Sequence, residues 1–215
     1  MMTRIPRGLA VAGTLALVVI AALGSSGASA WRGGSSAALS DSVPSGWIAA
    51  GSKPQDYVMA VDHTVMRDGR PSARIESKTP QVAGFGTLMQ QISAASYRGE
   101  RVRLSGDVRV RDVTGGASLW MRIDGSGNDV LAFDNANDRA ARGTAEWKHF
   151  DVVLDVPNPA QTISFGILLS GGGTTWASAL KFEKVPNTVA LTGRDMTRSS
   201  LPAAPVNLGF DAGRP

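Results

Sequence analysis

The feature that most constrains this chain is a two-residue alternation of apolar and polar side chains that runs, with one interruption, from Glu100 to Asp124. In "ERVRLSGDVRVRDV", Val102, Leu104, Val108 and Val110 fall on one face, and Arg101, Arg103, Asp107, Arg109 and Arg111 on the other. In "ASLWMRID", Ala117, Leu119, Met121 and Ile123 share a face, which leaves Ser118, Trp120, Arg122 and Asp124 opposite them. Successive side chains of an extended strand point to opposite sides of its sheet, so a period of two predicts strands with one core face and one wet face. The pattern returns downstream. Phe150, Val152, Leu154 and Val156 face inward with Trp147, His149, Asp151 and Asp155 outward, and Ile163, Phe165, Ile167 and Leu169 face inward with Gly166 on the other side.

Runs of strand length recur at 46–49, 57–62, 72–78, 86–93, 100–113, 117–124, 130–135, 147–156, 162–169 and 175–185, with turn residues between them. The 25 glycines and the scarcity of helix-forming runs suit turns and pleated strands. Together they predict an all-β fold, a single β-sandwich of about ten short antiparallel strands over residues 44–185.

The flanks read differently. Arg4 and Arg7 precede an uncharged apolar run from Leu9 to Leu23, and Ala28-Ser29-Ala30 forms an A-x-A cleavage signal, so residues 1–30 are expected to be a secretory signal peptide. The run is about fifteen residues, short of the roughly twenty that cross a bilayer, which disfavours a retained anchor. No membrane span is expected after cleavage. Residues 31–43 read as a flexible leader and 186–215 as a linker or strap, with a returning strand at 206–211 in "VNLGFD". Without cysteine there are no disulfides, so burial alone must stabilise the domain, as a chain of this size allows. Two of the charges behind the net +4 are Arg4 and Arg7, so the remainder is nearly neutral and no nucleic-acid partner is expected. The expected location is periplasmic or secreted.

The stretches "PSGWIAAG", "DGRPSARIES", "FGTLMQQISAASYRGERVRLSGDVRV", "AFDN", "TAEWKHFDVVLDVP" and "FGILLSGGGTTW" resemble bacterial carbohydrate-binding-module-like, galactose-binding-like jelly-roll domains. The likeness covers most of residues 44–185 and implies a jelly-roll sandwich that binds a carbohydrate or another extracytoplasmic ligand without transforming it. The strand resembling "NLGFD" opens such domains, whereas here it stands at 207–211. Many of them hold a structural calcium with an acid in that strand and two adjacent aspartates near the last one. Asp211 matches the first element, but Ala177, Ser178 and Ala179 follow Trp176, so calcium is not carried over and no metal or other cofactor is expected.

The expected ligand-binding residues are Trp120, Arg122, Asp124, Asp134, Asn135 and Trp147. An aromatic ring stacks on the apolar face of a sugar while Arg and Asp bond its hydroxyls. Gly166 would leave room beside Trp120, and Asp134 and Asn135 would line a loop rim. The alternative is packing for Trp120, a cross-strand pair for Arg122 and Asp124, a plug at the sandwich end for Trp147 or Trp176, and side-chain turns for Asp134 and Asn135. The arginine stripe 101, 103, 109 and 111 would meet an acidic polysaccharide or simply be solvated. Residues 124–129 resemble calcium loops but lack their glycine and glutamate positions, and read as a hairpin turn. No catalytic residue is expected: Asp124, Asp134, Glu146 and Asp151 show no spacing that singles out a pair, and neither His63 nor His149 adjoins a nucleophile motif. A secreted protein-interaction module that docks through a sheet or strand edge is the other alternative, and the sequence leaves the oligomeric state open.

Overall fold

The computed structural model describes residues 39–40 and 43–195. Eleven antiparallel strands form one continuous hydrogen-bonded sheet that folds over itself: β1 (Leu39–Ser40), β2 (Ile48–Gly51), β3 (Tyr57–Arg67), β4 (Arg70–Ser77), β5 (Phe85–Ser93), β6 (Arg101–Asp124), β7 (Val130–Asp134), β8 (Ala141–Asp155), β9 (Thr162–Ser170), β10 (Thr174–Val185) and β11 (Arg194–Asp195). The order is β1-β3-β4-β10-β6-β9-β5-β2, with β7 and β8 also on β6 and β11 on β7. The all-β sandwich expected from the alternation is the fold observed.

The hinge of the sandwich is β6. Its first half pairs with β10 and β8, and its second half, from Gly116, pairs with β9 and then β7. One strand therefore belongs to both layers. The two alternating runs expected as separate strands are continuous, and the core-facing residues change from even numbers (Val102 to Val110) to odd ones (Val113 to Ile123). A shift of one residue would turn a whole strand inside out unless an extra residue absorbs it. The register with β8 slips here, and Asp112 stands in the left-handed region at φ 56°. The bulge re-aims the strand into the second layer.

Between the layers, Ile75, Leu88, Leu104, Leu119, Met121, Ile163 and Ile167 are fully buried. Phe165 of one layer stacks on Phe182 of the other with ring centroids 4.9 Å apart. The β3–β4 hairpin closes through Asp68 and Gly69, both at positive φ, the geometry that a two-residue turn between twisted strands demands. Two short pairings lie outside the span expected for the domain: β1 on β3 and β11 on β7. The segment read as a signal peptide and the strand expected at 206–211 lie outside the described residues. No helix among the described residues is long and apolar enough to cross a membrane.

Candidate functional site

The outer face of the second layer carries Trp120, Arg122 and Asp124 on β6, beside Ser164 and Gly166 on β9 and Thr87 and Met89 on β5. This face is not wet in the way the alternation predicts. Trp120 is 5% exposed, and its Nε1–H donates to Thr87 Oγ1 at 2.8 Å, whose own hydroxyl donates to the Ile167 carbonyl at 2.6 Å. An amphipathic ring buries most of its area once its single donor finds a partner. Gly166 likewise leaves no vacancy: a Cβ there would stand 2.1 Å from the Leu88 carbonyl oxygen, so glycine is what lets β5 approach β9. The exposed ring and the open space beside it are therefore corrected to a packed indole and a close backbone contact.

Arg122 and Asp124 do meet, along one strand rather than across two. Arg122 Nε donates to Asp124 Oδ2 at 3.0 Å and stands as an ion pair 3.0 Å from the buried Oδ1, which accepts no hydrogen bond. Burial pushes the Asp124 carboxyl up, against the opposing pull of the Arg122 guanidinium. Asp134 is 7% exposed and faces the other way, opposite Met121. It accepts from the Ala136 N–H at 2.7 Å and from Arg139 Nη2 at 2.5 Å, so the loop-rim position expected for it is corrected to a side-chain turn with a buried ion pair. Asn135 also serves its own turn, its Oδ1 accepting from Asn137 N–H and its carbonyl from Ser118 Oγ–H. Trp147 is half-buried on β8, a strand of the first layer along its paired length 148–155. The six residues thus do not form one site; only Trp120, Arg122 and Asp124 share a face.

The outer face of the first layer holds a constellation that the alternation alone did not single out. Registers place Arg74, Trp176 and Arg109 side by side across β4, β10 and β6, and Glu76, Thr174 and Arg111 in the row above. The Trp176 ring lies beneath two guanidinium groups, with Arg109 5.7 Å and Arg111 5.2 Å from its centroid. Its Nε1–H donates at 2.9 Å to Asp62 Oδ2. Burial would raise the Asp62 carboxyl, but bonds from Thr64, Trp176 and Val65 outweigh it and hold the group at about 2. Trp176 is buried on the face of the layer, covered by these guanidinium groups.

At the end of these rows the β4–β5, β6 and β9–β10 segments enclose an open groove of about 420 Å³ lined by Glu76, Lys78, Arg111, Asp112, Thr114 and Thr174, among others. Of the arginine stripe, Arg101 pairs with Asp155 at 2.7 Å, Arg103 with Glu183 at 2.6 Å and Arg109 with Glu146 at 3.0 Å. Among the described residues Arg111 has no carboxylate partner. The signal for this site was in the sequence, as Arg109 and Arg111 two apart and Trp176 after "GGGTT", but only the register joins them.

No family profile matches the chain. The Bacillus subtilis (strain 168) protein named "Uncharacterized HTH-type transcriptional regulator YbfP" is 41% identical to it over 167 residues, 77% of this chain and 56% of that protein. The chain thus spans little more than half the length of the curated relative it matches. Among solved structures, a cyclase from Fischerella sp. TAU superposes with a TM-score of 0.54 at 15% identity, covering 69% of this chain and 88% of that one. The CBM22-1-CBM22-2 tandem domain of Paenibacillus barcinonensis Xyn10C gives 0.50 at 14% identity, covering 69% and 44%. The enzymatically active domain of bacteriophage CBA120 tailspike protein 4 gives 0.52 at 14%, covering 67% and 20%. At these identities the likeness is one of fold, a β-sandwich of the carbohydrate-binding-module kind, and it extends to a cyclase and a tailspike as readily as to a binding module. The expectation of an exported carbohydrate-binding module is overturned by the relative at 41% identity, whose name is that of a transcriptional regulator.

Proposed function

We propose that this sandwich is the effector-sensing module of a regulator-type protein, and that it binds a small polar ligand without converting it. The observation that carries the reading is the 41% identity to a protein named as an HTH-type regulator, over a length that cannot avoid the described strands. A helix-turn-helix is two α-helices, and the described residues contain none, only two single-turn 3-10 segments. Reading of DNA is therefore assigned to a part other than the strands, which leaves the sandwich the task of sensing. The groove one row beyond Trp176 is the ligand site we propose, because it combines open volume with convergent polar groups, one of which, Arg111, rests on the Trp176 ring. Saccharides and sugar acids are the first ligands to try, since a solved carbohydrate-binding tandem shares the fold.

The experiment is a thermal-melting screen of the full chain against neutral sugars and sugar acids, with duplex DNA titrated separately. A ligand at a hundred times its Kd stabilises the native state by about 2.7 kcal/mol, a rise of roughly 5–10 °C for a domain of this size. The expected result is such a rise for one ligand class, recovery of that ligand unaltered, and no DNA binding by residues 43–195. Turnover of the ligand, or tight DNA binding by the strands, would overturn the reading.

A further inference from the structure

We infer that the groove at 76–80, 111–114 and 173–174 is an oxyanion site, and that the ligand it takes carries a carboxylate or a phosphate ester. This rests on the proposed sensing role and specifies its ligand.

Of the two acids only Glu76 is paired with a cation. Glu76 accepts an ion pair from Arg74 Nη1, and Asp112 Oδ1 accepts from Thr144 Oγ1–H at 3.2 Å. Both cations are open: among the described residues neither Lys78 nor Arg111 has a carboxylate within ion-pair distance, whereas Arg101, Arg103 and Arg109 on the same strand as Arg111 each have one. The hydroxyls point the same way. Ser77 Oγ accepts from Gly173 N–H at 2.9 Å and Thr114 Oγ1 from Gly172 N–H at 2.9 Å, so one lone pair of each oxygen is taken by the backbone, and among the described residues neither hydroxyl hydrogen has an acceptor. The groove therefore offers a guanidinium, an ammonium and two hydroxyls, two cations against the one carboxylate, Asp112, that no cation pairs. Its complement is an acceptor with negative charge.

The pieces are also held in place. Arg111 rests on the Trp176 ring, whose N–H is tied to Asp62, so its fork is oriented before any ligand arrives. Asp112, next to it, is the left-handed residue at the β6 bulge, where strained backbone marks a position that the surrounding structure over-determines. The Lys78 end is fixed by its backbone N–H, which donates to the Asp56 carbonyl at 2.9 Å.

The test is amide NMR of the full chain with three probes, sodium glucuronate, glucose 6-phosphate and glucose, on the native protein, Arg111→Gln, and the double variant with Lys78→Gln. The two anions should shift the amides of Ser77, Thr114, Gly172 and Gly173, and glucose should not. Arg111→Gln should weaken the better anion at least tenfold, and the double variant further, with melting curves as the control for folding. Stronger binding of glucuronate assigns a carboxylate ligand, and of glucose 6-phosphate a phosphate ester. Three results overturn the inference: no shift with either anion at millimolar concentration, glucose bound as tightly as glucuronate, or an unchanged Kd in the double variant. Glucose bound at the groove amides as tightly as glucuronate would leave the sensing role standing and remove only the oxyanion; silence from every ligand in the melting screen would remove the role itself.

Discussion

Asp62 shows how a single buried carboxylate can join distant strands. It sits on β3, 4% exposed, and accepts from Thr64 N–H, Thr64 Oγ1–H and Val65 N–H, while its second oxygen takes the indole N–H of Trp176 from β10. Four donors on one carboxylate favour the charged form strongly enough to offset its burial. The folded group titrates at about 2, below its ordinary 3.8. Because the folded value is the lower one, the stabilisation is present above about pH 4 and is lost as pH falls through 2; it is worth about 2 kcal/mol. Asp62→Asn should lower stability at neutral pH by roughly that amount and flatten the loss between about pH 4 and 2, as urea midpoints across that range would read. At the same scale, Trp120 and Trp176 occupy outward positions by parity and are nevertheless buried, each through its one N–H. Parity assigns a face, but it does not say whether that face is covered.

At the scale of elements, glycine does two unrelated jobs that an unaligned sequence does not distinguish. Gly69 closes the β3–β4 hairpin at φ 74° with nothing within 4 Å of a would-be Cβ, whereas Gly166 has an ordinary backbone and no room. Gly69→Ala should cost about 1 kcal/mol, the price of a left-handed alanine. Gly166→Ala should cost about 3 kcal/mol, because β5 and β9 must move apart to admit a methyl group. Equilibrium unfolding of the two variants separates conformation from space; equal losses would contradict the assignment. The β6 bulge belongs to this scale as well. Its trace in the sequence is the change of core parity between Val110 and Val113, inside the run 100–113 that the alternation predicts as one strand.

At the scale of the molecule, the shared strand sets the cooperativity. β6 gives its first half to one layer and its second half to the other, and its side chains fill the core on both sides of the bulge. Neither layer can lose it without exposing the other, so residues 43–195 should unfold in a single transition, with calorimetric and van't Hoff enthalpies equal. Two separate transitions within the sandwich would mean that the layers are held independently. Ion pairs on the wet face of the first layer contribute little to this, since pairs such as Lys184–Glu100, both half exposed, are worth well under 1 kcal/mol each.

The sequence by itself determined the class of fold and nearly every strand, because a period of two is a local property that any sheet must satisfy. It also determined that Asp134 and Asn135 had a local use open to them, since side-chain turns span only a few residues. What the tertiary structure decided is everything that depends on which strand lies beside which. Trp176 stands next to Arg109 and Arg111, and Glu76 next to Thr174, only because β10 separates β4 from β6. The pairing of β7 and β8 with β6 likewise sets Asp134 opposite Met121 and puts Trp147 on the first-layer strand β8, away from Trp120. Contacts between residues a hundred positions apart, such as Trp176 with Asp62, arise from strand order and register, and no periodicity along one strand encodes them.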